Sequence, residues 1–189
     1  MPFFISLSGS PTKFSRSGFL LRSIETVLER RNIELRTTHA VDLVPERSAG
    51  AAAKLFLSDA IQQLQQAIAI ILLTRVTKAT SSEMLNSLLD RFPNDSFTGK
   101  PVLLVATGCF PGHVIATEHA LKPRLIRLGT TTIAARIHIG AESWVSVEDE
   151  RPLLSDGAGH EITAALDLIL QGIHLRKQRR PALNPVLSP

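Results

Sequence analysis

The sequence predicts an α/β fold in which a five-stranded parallel sheet is covered by helices on both faces. Three observations lead there. Apolar segments of strand length alternate five times with segments of helical period. Three of the strand segments are near-continuously apolar, the mark of strands covered on both sides. At 189 residues the chain is also the size of one domain with a single core.

The first strand, FFISLSG (3–9), is apolar and enters a turn. SGFLLRSIETVLERR (17–31) follows as a helix with Phe19, Leu20, Ile24, Val27 and Leu28 on one face. NIELRTTHAVDL (32–43) alternates with period two in its first half, reads as the second strand, and turns at Val44-Pro45. AAAKLFLSDAIQQLQQ (51–66) is helical by composition, and AIAIILLT (67–74) is an unbroken apolar strand. SSEMLNSLLDRF (81–92) returns to helical spacing with Ser81 or Ser82 as its cap. KPVLLVATG (100–108) is the fourth strand and HVIATEHALKPRLIRLG (113–129) the fourth helix. TTIAARIHI (131–139) and GHEITAALDLILQGI (159–173) complete the alternation. For five such strands the expected order is 2-1-3-4-5, a flavodoxin-like three-layer sandwich, whose ligands lie beyond the carboxyl ends of the strands where strands one and three diverge. That rule selects the loops 8–17, 74–81 and 107–113. The domain is expected over 1–173, with 174–189 a basic, Pro-containing tail built on RKQRR (176–180).

Composition removes several classes of function. The net charge is +4, but four of the cations stand together at 176–180, Tyr is absent and Phe sparse, so the basic-aromatic interleaving of a single-stranded nucleic-acid binder is missing. No apolar run approaches the ~18 residues of a membrane span, and MPFFISL lacks the basic start of a signal peptide, which makes a cytoplasmic location the expectation. The single Cys109 forms no intrachain disulfide and no thiolate metal site. Its simplest reading is a small buried hydrophobe. GxSxG, HExxH and EF-hand patterns are absent, His39 and Asp42 belong to no nucleophile-base pattern, and Glu148, Asp149 and Glu150 read as a solvated loop. His113 reads as an exposed residue at a helix start.

The first loop, SGSPTKFSRSG, carries the chemistry. It matches neither GxGxxG nor GxxxxGK[ST], which disfavours a dinucleotide fingerprint and a nucleotide triphosphatase. Ser10, Thr12, Ser15 and Ser17 each offer a hydroxyl donor, Lys13 and Arg16 add positive charge, and the helix that follows begins with backbone N–H groups lacking helical partners. A helix cap accounts for one serine and about 1 kcal/mol. Four hydroxyls and two cations within residues 10–17 are better explained as a phosphate cradle.

The pattern GSPxxxSRSxxLL, continued at strand three by LLTRVTKATSSEMLNSLLDRFP and at strand four by GKPVLLVATG with HVIATEHALKP, resembles the NAD(P)H-dependent FMN reductases. It is most similar to the branch that supplies reduced flavin to two-component alkanesulfonate monooxygenases, and the similarity runs from about residue 3 to 173. The resemblance implies FMN as cofactor, NADPH or NADH as hydride donor, a homodimer or homotetramer, and a flavin-dependent monooxygenase as partner. By the same resemblance Ser10, Ser15, Arg16 and Ser17 surround the FMN phosphate, with Thr12 of the cradle standing where the family has Arg, while Arg75, Val76, Thr77, Lys78, Thr107, Gly108, Cys109 and Phe110 lie in the loops around the ring. His119 matches the position of a π-bulge at a subunit interface, although Pro123 would itself disturb that helix.

Two positions depart from the family pattern. Thr74-Arg75-Val76-Thr77-Lys78 stands where Thr-Pro-Val-Tyr-Lys is usual, and Gly108-Cys109 where Gly-Gly is usual. The lost aromatic leaves Phe110, or Trp144 from a neighbouring subunit, to flank the ring. Hydride transfer between nicotinamide and flavin needs no protein nucleophile or metal, so the lack of a catalytic triad is consistent. The alternatives are an FMN-dependent quinone, azo or metal-ion reductase on the same fold, and a flavin-poor binding or regulatory module that keeps the cradle for another anion.

Overall fold

The computed structural model describes residues 1–10, 15–43, 51–76, 82–108, 110, 112–130, 132–145 and 152–178. Strand β1 (Phe3–Ser8) is buried at every position, and its period of two divides it between two cores. Phe3, Ile5 and Leu7 enter one, Phe4 the other. β3 (Ala69–Arg75) and β4 (Val102–Thr107) do the same: Ile70, Leu72, Val102 and Leu104 face the first core, Ile71, Leu73, Leu103 and Val105 the second. With β2 (Glu34–His39) and β5 (Ala135–Ile139) at the edges, every neighbouring pair is parallel and the order is 2-1-3-4-5.

Helices α2 (Ala51–Gln66), α3 (Glu83–Asp90) and α4 (His113–Arg127) close the first core, and α1 (Arg16–Glu29) and α5 (Asp156–Gln178) the second. This is the expected three-layer sandwich. Among the described residues no helix is long and apolar enough to cross a membrane. Edge strand β2 carries charge rather than a bare apolar face, with Arg36 3.9 Å above the Phe3 ring and forked onto Glu34, whose carboxyl it holds below its ordinary pKa.

The details depart from the periodicity in four places. On α1 the buried residues are Ser17, Leu20, Leu21, Ile24 and Leu28, while Phe19 and Val27 are half-buried at the flanks. β5 starts only at Ala135, not at the threonine run before it. α5 starts three residues early, where Ser155 Oγ accepts from the Ala158 N–H at 3.3 Å, and runs to Gln178, into the segment expected as tail. Between β5 and α5 the chain adds a 3-10 turn (Ala141–Ser143) and a two-stranded hairpin, β6 (Trp144–Val145) with β7 (Leu153–Leu154), that no periodicity announces. The Val44-Pro45 turn and the acidic run 148–150 lie outside the described residues.

α4 packs Val114, Leu121 and Leu125 onto the sheet, and Thr117 falls on the same face, fully buried. Among the described residues Thr117 Oγ1 has no hydrogen-bond partner. A buried hydroxyl without a partner costs on the order of 1–3 kcal/mol. Thr117→Val keeps the branched shape and removes the orphan, so it is expected to stabilise the fold by about 1 kcal/mol and raise Tm by roughly 2–4 °C. Thermal denaturation followed by circular dichroism measures this, and a lowered Tm would mean that the hydroxyl is solvated in place.

Candidate functional site

At the carboxyl end of the sheet, one serine joins two strands and a helix. Ser82, the N-cap of α3, accepts the Leu85 N–H at 3.3 Å and donates to the carbonyl of Gly9 at 3.2 Å, just past β1. Its own N–H donates to Oγ1 of buried Thr74 on β3 at 2.9 Å. β3 and β4 are joined further out, where the Val76 N–H meets the Thr107 carbonyl at 2.8 Å. Gly9 is required by space rather than by backbone conformation. A Cβ there would overlap Ser82 Oγ and stand 2.7 Å from Leu85 Cβ. The loops that leave this platform are thereby held at a fixed spacing.

Ser15 stands at the N-cap of α1. Its carbonyl accepts from Gly18 at 2.8 Å and Phe19 at 3.1 Å, but its hydroxyl makes no cap bond. Instead Ser15 Oγ lies 3.0 Å from Ser10 Oγ. The hydroxyl a helix cap would have used is turned toward the loop, beside the first-turn N–H groups of α1 and the positive end of its dipole.

Above this turn lies a cleft of about 530 Å³, lined by Ser10, Ser15, Arg16 and Ser17 from the first loop, Arg75 from β3, Thr107 and Gly108 from β4, and Ile139, Gly140, Ala141 and Trp144 from beyond β5. That size suits a small organic ligand. Among the described lining residues none is a carboxylate, whereas two are guanidiniums and four bear hydroxyls. Arg75 is exposed at its tip of β3. The Gly108 backbone presses on Val76, since a Cβ at 108 would be 3.1 Å from the Val76 carbonyl oxygen.

The structure thus brings together seven of the residues expected at the site: Ser10, Ser15, Arg16, Ser17, Arg75, Thr107 and Gly108. Val76 is buried behind the lining in the first core. Phe110 is 63% exposed and outside the lining. Thr12, Thr77, Lys78 and Cys109 lie outside the described residues. Trp144 lines the cleft of its own chain, where sequence reasoning looked to a neighbouring subunit. Ile139, Gly140 and Ala141 were not anticipated at all. Their one local signal is a strand end in an order that brings β5 beside β4.

His119 stands exposed on α4, which is α-helical throughout rather than π-bulged. The irregularity belongs to Pro123, which has no N–H to offer the carbonyl four residues back, that of His119.

The sheet order and the cleft at the carboxyl ends of its strands define a flavodoxin-like domain, the architecture of flavin mononucleotide proteins. The sequence model described as NADPH-dependent FMN reductase matches residues 4–143, and the chain belongs to that family. It is 33% identical over 184 residues to an FMN reductase (NADPH) of Escherichia coli (strain K12), covering 95% of this chain and 94% of that one. To an FMN reductase (NADPH) of Pseudomonas putida it is 38% identical over 128 residues, covering 66% and 64%. Among solved structures, the apo form of the NADH:FMN oxidoreductase EMOB superposes with a TM-score of 0.70 at 26% identity over 90% of each chain.

Proposed function

We propose that this cleft binds FMN and that the chain reduces it with NADPH or NADH, releasing reduced flavin. The observation that carries the reading is the lining: hydroxyls and guanidiniums around a helix N-terminus, with no carboxylate among the described residues. Ser10, Thr12, Ser15, Arg16 and Ser17 hold the phosphate, where the α1 N–H groups and the Arg16 guanidinium match a dianion. The ring end falls to Arg75, Val76, Thr77, Lys78, Thr107, Gly108, Cys109 and Phe110, with the glycine allowing close backbone approach. When bound, FMN supplies the hydride-accepting centre that side chains lack. The residues bind it, orient it against the nicotinamide and exclude water from the covered face.

The exposed Ile115 and Ile126 share one face of α4 with His119, which supports a homodimer or homotetramer through that helix. The resemblance to the alkanesulfonate branch supports a cytoplasmic role beside a flavin-dependent monooxygenase. The test is a titration with FMN followed by flavin fluorescence, then NADPH and NADH oxidation with and without added FMN. Binding at or below roughly tens of micromolar, with flavin-dependent turnover, is expected. Absence of both would sink the reading.

A further inference from the structure

Arg16 lines the cleft at the start of α1, yet it is exposed, and no carboxylate among the described residues pairs with it. An arginine in that position loses rotamer freedom whenever it closes on an anion. Something has to hold it. Its guanidinium carbon lies 6.0 Å from the centroid of the Trp144 ring, at the reach of a cation–π contact. Trp144 is anchored from three directions. The preceding turn is tied by the Gly140 N–H donating to Ser143 Oγ at 3.2 Å, the Ser155 N–H holds the Ser143 carbonyl at 2.9 Å, and Trp144 pairs with Leu154, both packing on the second core.

We infer that Trp144 is a positioning residue: its ring, carried to the cleft by the β6–β7 hairpin, holds the Arg16 guanidinium in place for the flavin phosphate. The hairpin therefore serves the phosphate end of the cofactor. Its effect acts through Arg16, so it disappears for a ligand without a phosphate and for a protein without Arg16. A ring that stacked on the isoalloxazine would behave in the opposite way.

The inference rests on the reading that the cradle takes the FMN phosphate, and the experiment separates the two. Trp144→Leu keeps the apolar packing against Leu154 and removes the π face. It is expected to weaken FMN about fivefold and to leave riboflavin unchanged, while Trp144→Phe stays within about twofold of wild type for both. In an Arg16→Ala background Trp144→Leu should add nothing. Equal weakening of FMN and riboflavin, an additive loss on Arg16→Ala, or no loss at all would overturn the assignment. The contact has a second readout that needs no tryptophan variant. Trp144 is the protein's one tryptophan, so Arg16→Ala should shift or brighten its emission without ligand, whereas Arg75→Ala should not. Unchanged emission in Arg16→Ala would overturn the contact itself. Failure of the wild-type protein to bind FMN would remove the underlying reading instead.

Discussion

Ser15→Ala combined with Arg16→Ala is expected to weaken FMN about a hundredfold while riboflavin stays within about threefold of wild type. The asymmetry follows from where the two residues stand. Both sit at the N-terminus of α1, Ser15 with its hydroxyl turned toward Ser10 rather than capping the helix, and Arg16 at the wall of the cleft. A charge-assisted hydrogen bond to a phosphate contributes about 1.5–3 kcal/mol, and a neutral hydroxyl about 1 kcal/mol. Together these reach about a hundredfold, with none of it available to a ligand that ends in a hydroxyl. Because the Ser15 hydroxyl makes no cap bond, the double variant should lose little Tm, which separates lost binding from lost folding. Isothermal titration with the two flavins decides it. Equal losses would move the phosphate to another part of the cleft.

Gly9→Ala is the substitution expected to cost most stability, about 2–4 kcal/mol, and to lower Tm by roughly 5–15 °C. The new methyl would occupy the space of Ser82 Oγ and crowd Leu85 Cβ. Ser82 then has to leave its bonds to Gly9 and Leu85, and α3 moves off the end of β1. Gly112→Ala is the control, because a Cβ there meets nothing within 4 Å and the backbone is already right-handed. A loss at Gly112 equal to that at Gly9 would mean the effect is not steric. Gly9→Ala is also expected to weaken FMN, since the loops it displaces begin at the same platform.

How much of this could be read from the chain depends on how local each feature is. Strands β1, β3 and β4 were legible because they are covered on both faces and have to be apolar throughout. The first-loop part of the lining was legible because Ser10, Ser15, Arg16 and Ser17 stand close together in the sequence. Ser82 was readable as a cap, since capping is local, but its bond to the Gly9 carbonyl joins residues far apart in sequence and leaves no pattern. The β5 wall was illegible for a related reason: strands of two residues and a 3-10 turn are too short to show a period. Trp144 was singled out by its chemistry, but only the folded hairpin shows that it lines the cleft of its own chain.

The cleft's lining is gathered from Ser10 at one extreme of the chain to Trp144 at the other, and the sheet order makes β5 its last wall. A ribosome releases these parts in that order. The cradle emerges with the first strand and helix, but the chain must pass through four more strands and on to Leu154 before Trp144 has its pairing partner. A nascent chain therefore holds the first-loop wall long before it holds a pocket, and the cleft is complete only in the finished domain.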